Sequence, residues 1–330
     1  MSSNSQKVTP IFLLSLPRSG STLVQRILAM QPEVATTSEP WILLPFLYTL
    51  RDRGAYANYS HVNAVTAIED LYGEFPNGQE DYLQDMRNFV LNLYMKTSSY
   101  NDQKYFLDKT PRYHLIVEEI MRMFPDGKFI FLWRNPLAVV ASIMHSLAEG
   151  KWILYSFNID LFTGIENLIN AYEKHSSRVC SIRYENVLTR PVVEFERVCS
   201  YLDLSFDPVS LSDFSTVKLR GRYGDPTGVK YYQSLSKAPL NKWKDIINNP
   251  IRRLWCQRYL CWIGQERLAV MGYDLNELLA ELKNVPQSLH FIGSDIVNII
   301  YGSLYRTFEP RIIKHKFQDA KSWHRINAHT

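Results

Sequence analysis

The chain has 330 residues, 46% of them hydrophobic and 21% charged, an ordinary globular composition that accommodates one large α/β domain or two small ones. A net charge of +4, from 37 basic and 33 acidic residues without a block of like charge, gives no footprint for nucleic acid but is compatible with a local anion site. No stretch approaches the roughly 20 apolar residues of a membrane span, so no integral membrane segment is expected. The N-terminal MSSNSQKVTP lacks the apolar core of a secretory signal. Cys180, Cys199, Cys256 and Cys261 form no C-x-x-C pair and read as buried, reduced thiols, which fits a cytoplasmic setting.

In chain order, runs of β-formers predict strands at Ile11–Leu16, around Val34–Thr37, at Tyr105–Leu107, Lys128–Trp133 and Val179–Tyr184. Helical patterns fall between them, at Ser21–Met30, Gln79–Met95, Tyr113–Phe124, Pro136–Leu147, Leu154–His175 and Pro191–Leu202. Strands alternating with helices predict an α/β fold, a parallel β-sheet flanked by helices, with a mostly helical C-terminal part from about residue 238 to 283. The last apolar segment, 288–308, mixes Gly and Ser with apolar residues and precedes Arg311, Lys314, Lys316, Lys321 and Arg325. It reads as a helix docked on the body or on a second copy of the chain, so a homodimer is open; a membrane-surface helix is the alternative.

In parallel sheets ligands sit beyond the carboxyl ends of strands. Here four strand ends carry a cation: Arg18 in RSGST, Lys109 and Arg112 in DKTPR, Arg134 in RNP and Arg183 in RYE. Together they predict a strongly anionic ligand. The stretch LPRSGSTL (16–23) has the form of a strand–loop–helix phosphate site. Helix amides and dipole favour an anion, Gly20 lets the backbone curl around it, and Ser19, Ser21 and Thr22 add hydroxyls. Arg18 offers a fork that matches phosphate or sulfonate. The loop lacks the Lys of a nucleoside-triphosphate site, and no Asp at a strand end suggests a magnesium ligand, so a metal-independent reaction is expected. A second anion point is RNPLAVVASIMHS, where Asn135 and Pro136 start a helix behind Arg134 and Ser142 lies two turns in.

PRSGSTLVQRIL and RNPLAVVASIMHS resemble the 5′-phosphosulfate loop and the 3′-phosphate motif of sulfotransferases that use 3′-phosphoadenosine 5′-phosphosulfate (PAPS). DKTPRYH is similar to the E/N-K-x-P segment of the heparan and tyrosylprotein branch. IRYENVLTRPVVEFERVCSYLDLSFDP resembles a stretch of bacterial members, and NKW (241–243) a donor-binding Lys-Trp. The resemblance covers roughly residues 9–275 in the family's order. It implies a P-loop NTPase-like sulfotransferase fold, with residues 1–285 as one domain, 41–104 as helical cover over the acceptor site and 286–330 as a C-terminal extension. It implies that Arg18, Ser19, Gly20, Ser21 and Thr22 hold the 5′ phosphate and sulfonate, and Arg134 and Ser142 the 3′ phosphate. Tyr184 would contact the adenosine end, and Lys242 would close over the donor. The loop 224–237, with Thr227, would cover the nucleotide. Ser146 departs from relatives that carry a further Arg at that place.

For the base, the resemblance points to Glu39, just after the second strand, with His114 as the other candidate; Lys109 would neutralise the leaving oxygen. The expected reaction is in-line transfer of a sulfonate from PAPS to a hydroxyl or amine of a small molecule, leaving adenosine 3′,5′-bisphosphate. The aromatic-rich 41–105 segment suits an apolar acceptor, and a peptide tyrosine comes next. A P-loop nucleotide kinase or NTPase, and a non-catalytic adenosine-bisphosphate-binding protein, are the competing classes.

Overall fold

The computed structural model describes residues 8–98, 103–224 and 234–308. Five parallel strands form one sheet among these residues: β1 (Thr9–Ser15), β2 (Val34–Thr36), β3 (Tyr105–Asp108), β4 (Lys128–Trp133) and β5 (Val179–Arg183). Their order in the sheet is β2-β3-β1-β4-β5. β1 is central, pairing Phe12 with Asp108 on one side and Ser15 with Leu132 on the other. It lies where the strand order reverses, which opens a crevice beyond the carboxyl ends of β1, β3 and β4.

The strands are buried on both faces, so they read as continuous apolar runs. Their alternation still sorts side chains into two cores. Phe12 and Leu14 of β1 and Phe129, Phe131 and Trp133 of β4 enter one core. Ile11 and Leu13 of β1 and Ile130 and Leu132 of β4 enter the other. A fully buried side chain of this size contributes about 1.5–3 kcal/mol.

On the smaller-core face lie α1 (Ser21–Leu28), α8 (Tyr184–Thr189) and α9 (Pro191–Tyr201). The other face is covered by α4 (Gln79–Ser98), α5 (Val117–Met123), α6 (Pro136–Leu147) and α7 (Ile165–His175). Between β2 and β3 the chain also forms α2 (Leu43–Leu47) and α3 (His61–Gly73).

Two predicted helices divide. Tyr113–Phe124 becomes a 3-10 turn, Pro111–Leu115, followed by α5. Leu154–His175 becomes a 3-10 turn, a π-helical turn over Ile159–Gly164 and α7. Gly164 ends the wide turn where there is little room for a side chain: a Cβ there would meet His114 Nδ1 at 2.9 Å and Leu16 Cδ2 at 3.0 Å. Tyr184, expected to end a strand, opens α8 instead.

The helix Ile292–Phe308 packs on the long helix Pro250–Val270. A buried ion pair fastens it, with Arg252 Nε donating to Asp295 Oδ2 at 2.7 Å. Its other side exposes Val297, Ile300 and Leu304. Among the described residues no helix is long and apolar enough to cross a membrane. All four cysteines are free; Cys261 is exposed, contrary to the expectation that every thiol is buried, because it faces outward on the long helix.

Candidate active site

The loop after β1 is built by two left-handed residues, Arg18 (φ 67°) and Gly20 (φ 91°). They turn the chain from β1 into α1, whose first turn no side chain caps. Gly20 is required twice. Its φ suits glycine, and a Cβ would lie 2.3 Å from the Tyr184 ring. Ser19, Ser21 and Thr22 are almost entirely buried around it.

Lys109, directly after β3, enters this crevice. Its Nζ donates to Thr22 Oγ1 at 3.4 Å and to Glu39 Oε1 at 2.7 Å. The pair is enclosed, with side-chain exposures of 1% for Lys109 and 11% for Glu39. The second carboxylate oxygen of Glu39 accepts from Trp41 Nε1 at 3.1 Å. Trp41 itself has φ 57°, so the chain folds back beyond Pro40 and brings the indole to the carboxylate.

Two buried networks fix the Glu39 segment. Gln25 of α1 donates from Nε2 to Thr36 Oγ1, the Thr37 carbonyl and the Ser38 carbonyl at 2.8, 2.6 and 3.1 Å. On the other side, the Thr110 hydroxyl accepts from Trp41 N and the Tyr113 hydroxyl from Leu43 N. Tyr94, Tyr113 and Thr110 all donate to the Asp108 carboxylate. Burial pushes Asp108 up to about 6, against these hydrogen bonds and the charge of Lys109.

The stretch from Arg134 into α6 forms the opposite wall. Asn135 caps α6 by accepting from Leu137 N, and its own N–H donates to Glu185 Oε1. Arg134 thereby stands at the corner, stacked 4.5 Å from the Tyr184 ring, and donates to the Arg18 carbonyl at 2.7 Å. Its buried Nε has no hydrogen-bond partner among the described residues. The family model for the sulfotransferase family matches residues 10–208, more than half of the chain.

The chain belongs to the sulfotransferase family. This sulfotransferase is 26% identical over 233 residues to nodulation protein NoeE of Sinorhizobium fredii, covering 63% of this chain and 53% of that protein. It therefore spans about half the length of that relative. It is 24% identical over 294 residues to protein-tyrosine sulfotransferase 2 of Gallus gallus, covering 82% of this chain and 71% of the chicken protein. Among solved structures, the sulfotransferase domain from the curacin biosynthetic pathway has a TM-score of 0.51 and 20% identity, over 72% of this chain and 91% of that one. That likeness supports the P-loop-like sulfotransferase fold.

Not every residue singled out from the sequence reaches the crevice of the sulfotransferase. His114 is fully buried, and its Nε2 lies 2.8 Å from Asp160 Oδ1. Arg112 Nε lies 3.0 Å from the same oxygen. Burial holds His114 below the usual imidazole range despite Asp160. Tyr184 is buried too, but its ring packs against Gly20 and Arg134, at the crevice itself. Arg183 stacks on Tyr273 at 4.3 Å, so this strand-end cation belongs to the packing. Lys242 is exposed at the start of the helix Trp243–Ile246, which packs on α6. Thr227 lies outside the described residues. The Arg18 guanidinium lies on α6, donating to Ser142 and Ser146.

Gln25, Thr110 and Tyr113 carried no signal as parts of the site. A polar Gln among Leu23, Val24, Ile27 and Leu28 was the available hint, because a buried amide needs partners.

Proposed function

We propose that this sulfotransferase moves a sulfonate from PAPS to a hydroxyl or amine of a small-molecule acceptor, with Glu39 as the general base and adenosine 3′,5′-bisphosphate as the product. The observation that carries the reading is the contact of Glu39 with Lys109, 2.7 Å long, at the mouth of the Thr22 loop. The donor residues fit the group: Gly20 leaves room where a Cβ would fill it, α1 presents an uncapped N-terminus, and Arg134 keeps a buried N–H in reserve. When bound, PAPS supplies a sulfonate on a phosphate leaving group.

Ser19, Gly20, Ser21 and Thr22 would hold the 5′ end through hydroxyls and helix amides. Arg134 and Ser142 would hold the 3′ phosphate, and Lys242 would close from the Trp243 helix. Lys109 offers a positive charge beside Thr22, preorganised electrostatics that cost no rearrangement during reaction. Glu39 takes the proton of the acceptor's O–H or N–H. Trp41 and Lys109 hold the two carboxylate oxygens and so aim it. His114 is unsuited to that work, since its ring is sealed in the interior.

A tyrosine side chain is the second acceptor to consider. The Trp41 and Tyr223 rings stand 6.1 Å apart beside Glu39, and both are exposed. Aromatic walls of this kind suit a phenol. The four free thiols fit a reducing, cytoplasmic setting.

The test is ligand stabilisation followed by transfer. Adenosine 3′,5′-bisphosphate at 100 times its Kd should raise stability by roughly 2.7 kcal/mol. AMP should act only at far higher concentration, and ATP with magnesium should do little. Stabilisation by ATP–magnesium instead would revive the nucleotide-kinase reading. Incubation with radiolabelled PAPS and parallel panels of phenols, alcohols, amines and tyrosine peptides then separates the acceptors.

A further inference from the structure

The helix Ile292–Phe308 sits on the body with its polar side inward. Asp295 and Gly302, about two turns apart, are buried. The Asp295 carboxylate accepts from Asn249 Nδ2 at 2.7 Å, from Arg252 Nε at 2.7 Å and from a terminal nitrogen of Arg252 at 3.0 Å. At Gly302 a Cβ would meet Tyr155 Cδ1 at 2.6 Å, so close approach there needs a residue without a side chain. Val297, Ile300 and Leu304 fall on the opposite side of the helix, and each is more than half exposed. Leu289 and Phe291, at the entry to the helix, are more exposed than Ile300. A helix docked by packing alone buries its apolar stripe. Here the Asn249–Arg252–Asp295 anchor holds that stripe outward.

The charge of the chain lies at the same end. From residue 306 to 330 there are six basic residues and two acidic ones, Glu309 and Asp319, a net charge of +4. That equals the net charge of the whole chain, so residues 1–305 balance to zero. Phe308, Phe317 and Trp323 stand among these cations in the sequence.

We propose that this end of the molecule docks on the surface of an anionic lipid bilayer. Val297, Ile300 and Leu304, with Leu289 and Phe291, enter the boundary between headgroups and acyl chains, and the basic 306–330 segment meets the lipid phosphates. An outward apolar stripe beside a cluster of Lys and Arg is the pairing that holds a helix in the plane of a membrane. The helix lies along the bilayer and not across it, because Asp295 keeps its other side on the protein. A second copy of the chain would cover the apolar stripe but set +4 against +4, whereas negative headgroups answer both features. The proposal uses no part of the PAPS reading.

Flotation of the full chain with vesicles of phosphatidylcholine, with and without phosphatidylglycerol, tests this. Binding should require phosphatidylglycerol and weaken as salt is added. Ile300→Glu combined with Leu304→Glu should reduce it about tenfold or more. The melting temperature should stay at the parent value, since both side chains face solvent. Lys314→Gln with Lys316→Gln leaves the apolar stripe intact and should still weaken binding more than about tenfold, near fivefold for each charge. No binding to phosphatidylglycerol vesicles would overturn the proposal, as would binding that the glutamate pair leaves unchanged. A lower melting temperature for the glutamate pair would show that the stripe is already covered in the free protein. A dimer in light scattering that the same pair converts to monomer would assign the face to a second copy, and either result would overturn the lipid assignment.

Discussion

Glu39 and Lys109 meet end to end, Oε1 to Nζ at 2.7 Å, although 70 residues separate them in the chain. The contact joins the end of β2 to the end of β3, two strands that pair in parallel from Val34 and Tyr105 onward. Each charge is the other's partner, Lys109 buried and Glu39 mostly so, and neither is held there cheaply. Buried pairs are weak sources of stability, but they are costly to break from one side.

Glu39→Gln keeps the shape and removes the base. We expect kcat to fall roughly 10²–10⁴-fold with adenosine 3′,5′-bisphosphate affinity nearly unchanged. Steady-state rates with an identified acceptor, beside calorimetric binding, check it. A variant within a few-fold of the parent rate would remove Glu39 from the chemistry.

Lys109→Met should lower kcat by roughly 10²–10³ through loss of a preorganised charge. It should also destabilise the fold by about 3–5 kcal/mol, because Glu39 is left partly buried without its cation. Combining it with Glu39→Gln should recover much of the stability and none of the activity. Denaturant melts of the two single variants and the double variant measure this; additive stability losses would mean that the pair is not coupled.

Gly20→Ala meets two obstacles, a left-handed φ of 91° and the Tyr184 ring 2.3 Å from the new methyl. We expect a cost of about 1–2 kcal/mol from the backbone and about 1–3 kcal/mol from overpacking. Trimming Tyr184 to Ala in the same chain should relieve the second part only. Thermal melts of Gly20→Ala with and without the Tyr184 change separate them, and a melt unchanged by Gly20→Ala alone would contradict the loop geometry.

Asp108 predicts a pH dependence. Its carboxyl is raised to about 6 in the fold by burial, above its ordinary value of 3.8. The folded state therefore holds this proton more tightly than the unfolded chain does. The contribution to stability is complete below about pH 4 and is lost as pH rises through about 6, by about 1.4 kcal/mol for each unit of the shift. Asp108→Asn should flatten the stability profile between pH 4 and 6. Urea melts at unit intervals of pH would show it; an identical slope in parent and variant would sink the idea.

What the sequence determined by itself was the order of β-strands and helices and the chemistry of the strand ends. Period-2 and period-3.6 patterns are local, and so are the turn demands of Gly20, Asn135 and Pro136; β4 and α6 fall on their predicted residues. The ordered motifs around Arg18, Lys109 and Arg134 likewise sufficed for the family. Only the tertiary structure decided which side chains face one another. His114 has the residue type of a site, yet it is sealed in the interior, because burial depends on neighbours supplied by Asp160 and Gly164. The hydrogen bond from Arg18 to Ser146 joins residues 128 positions apart. Contacts at such separations leave no periodic trace in the chain, since they are set by how the sheet brings its strand ends to one edge.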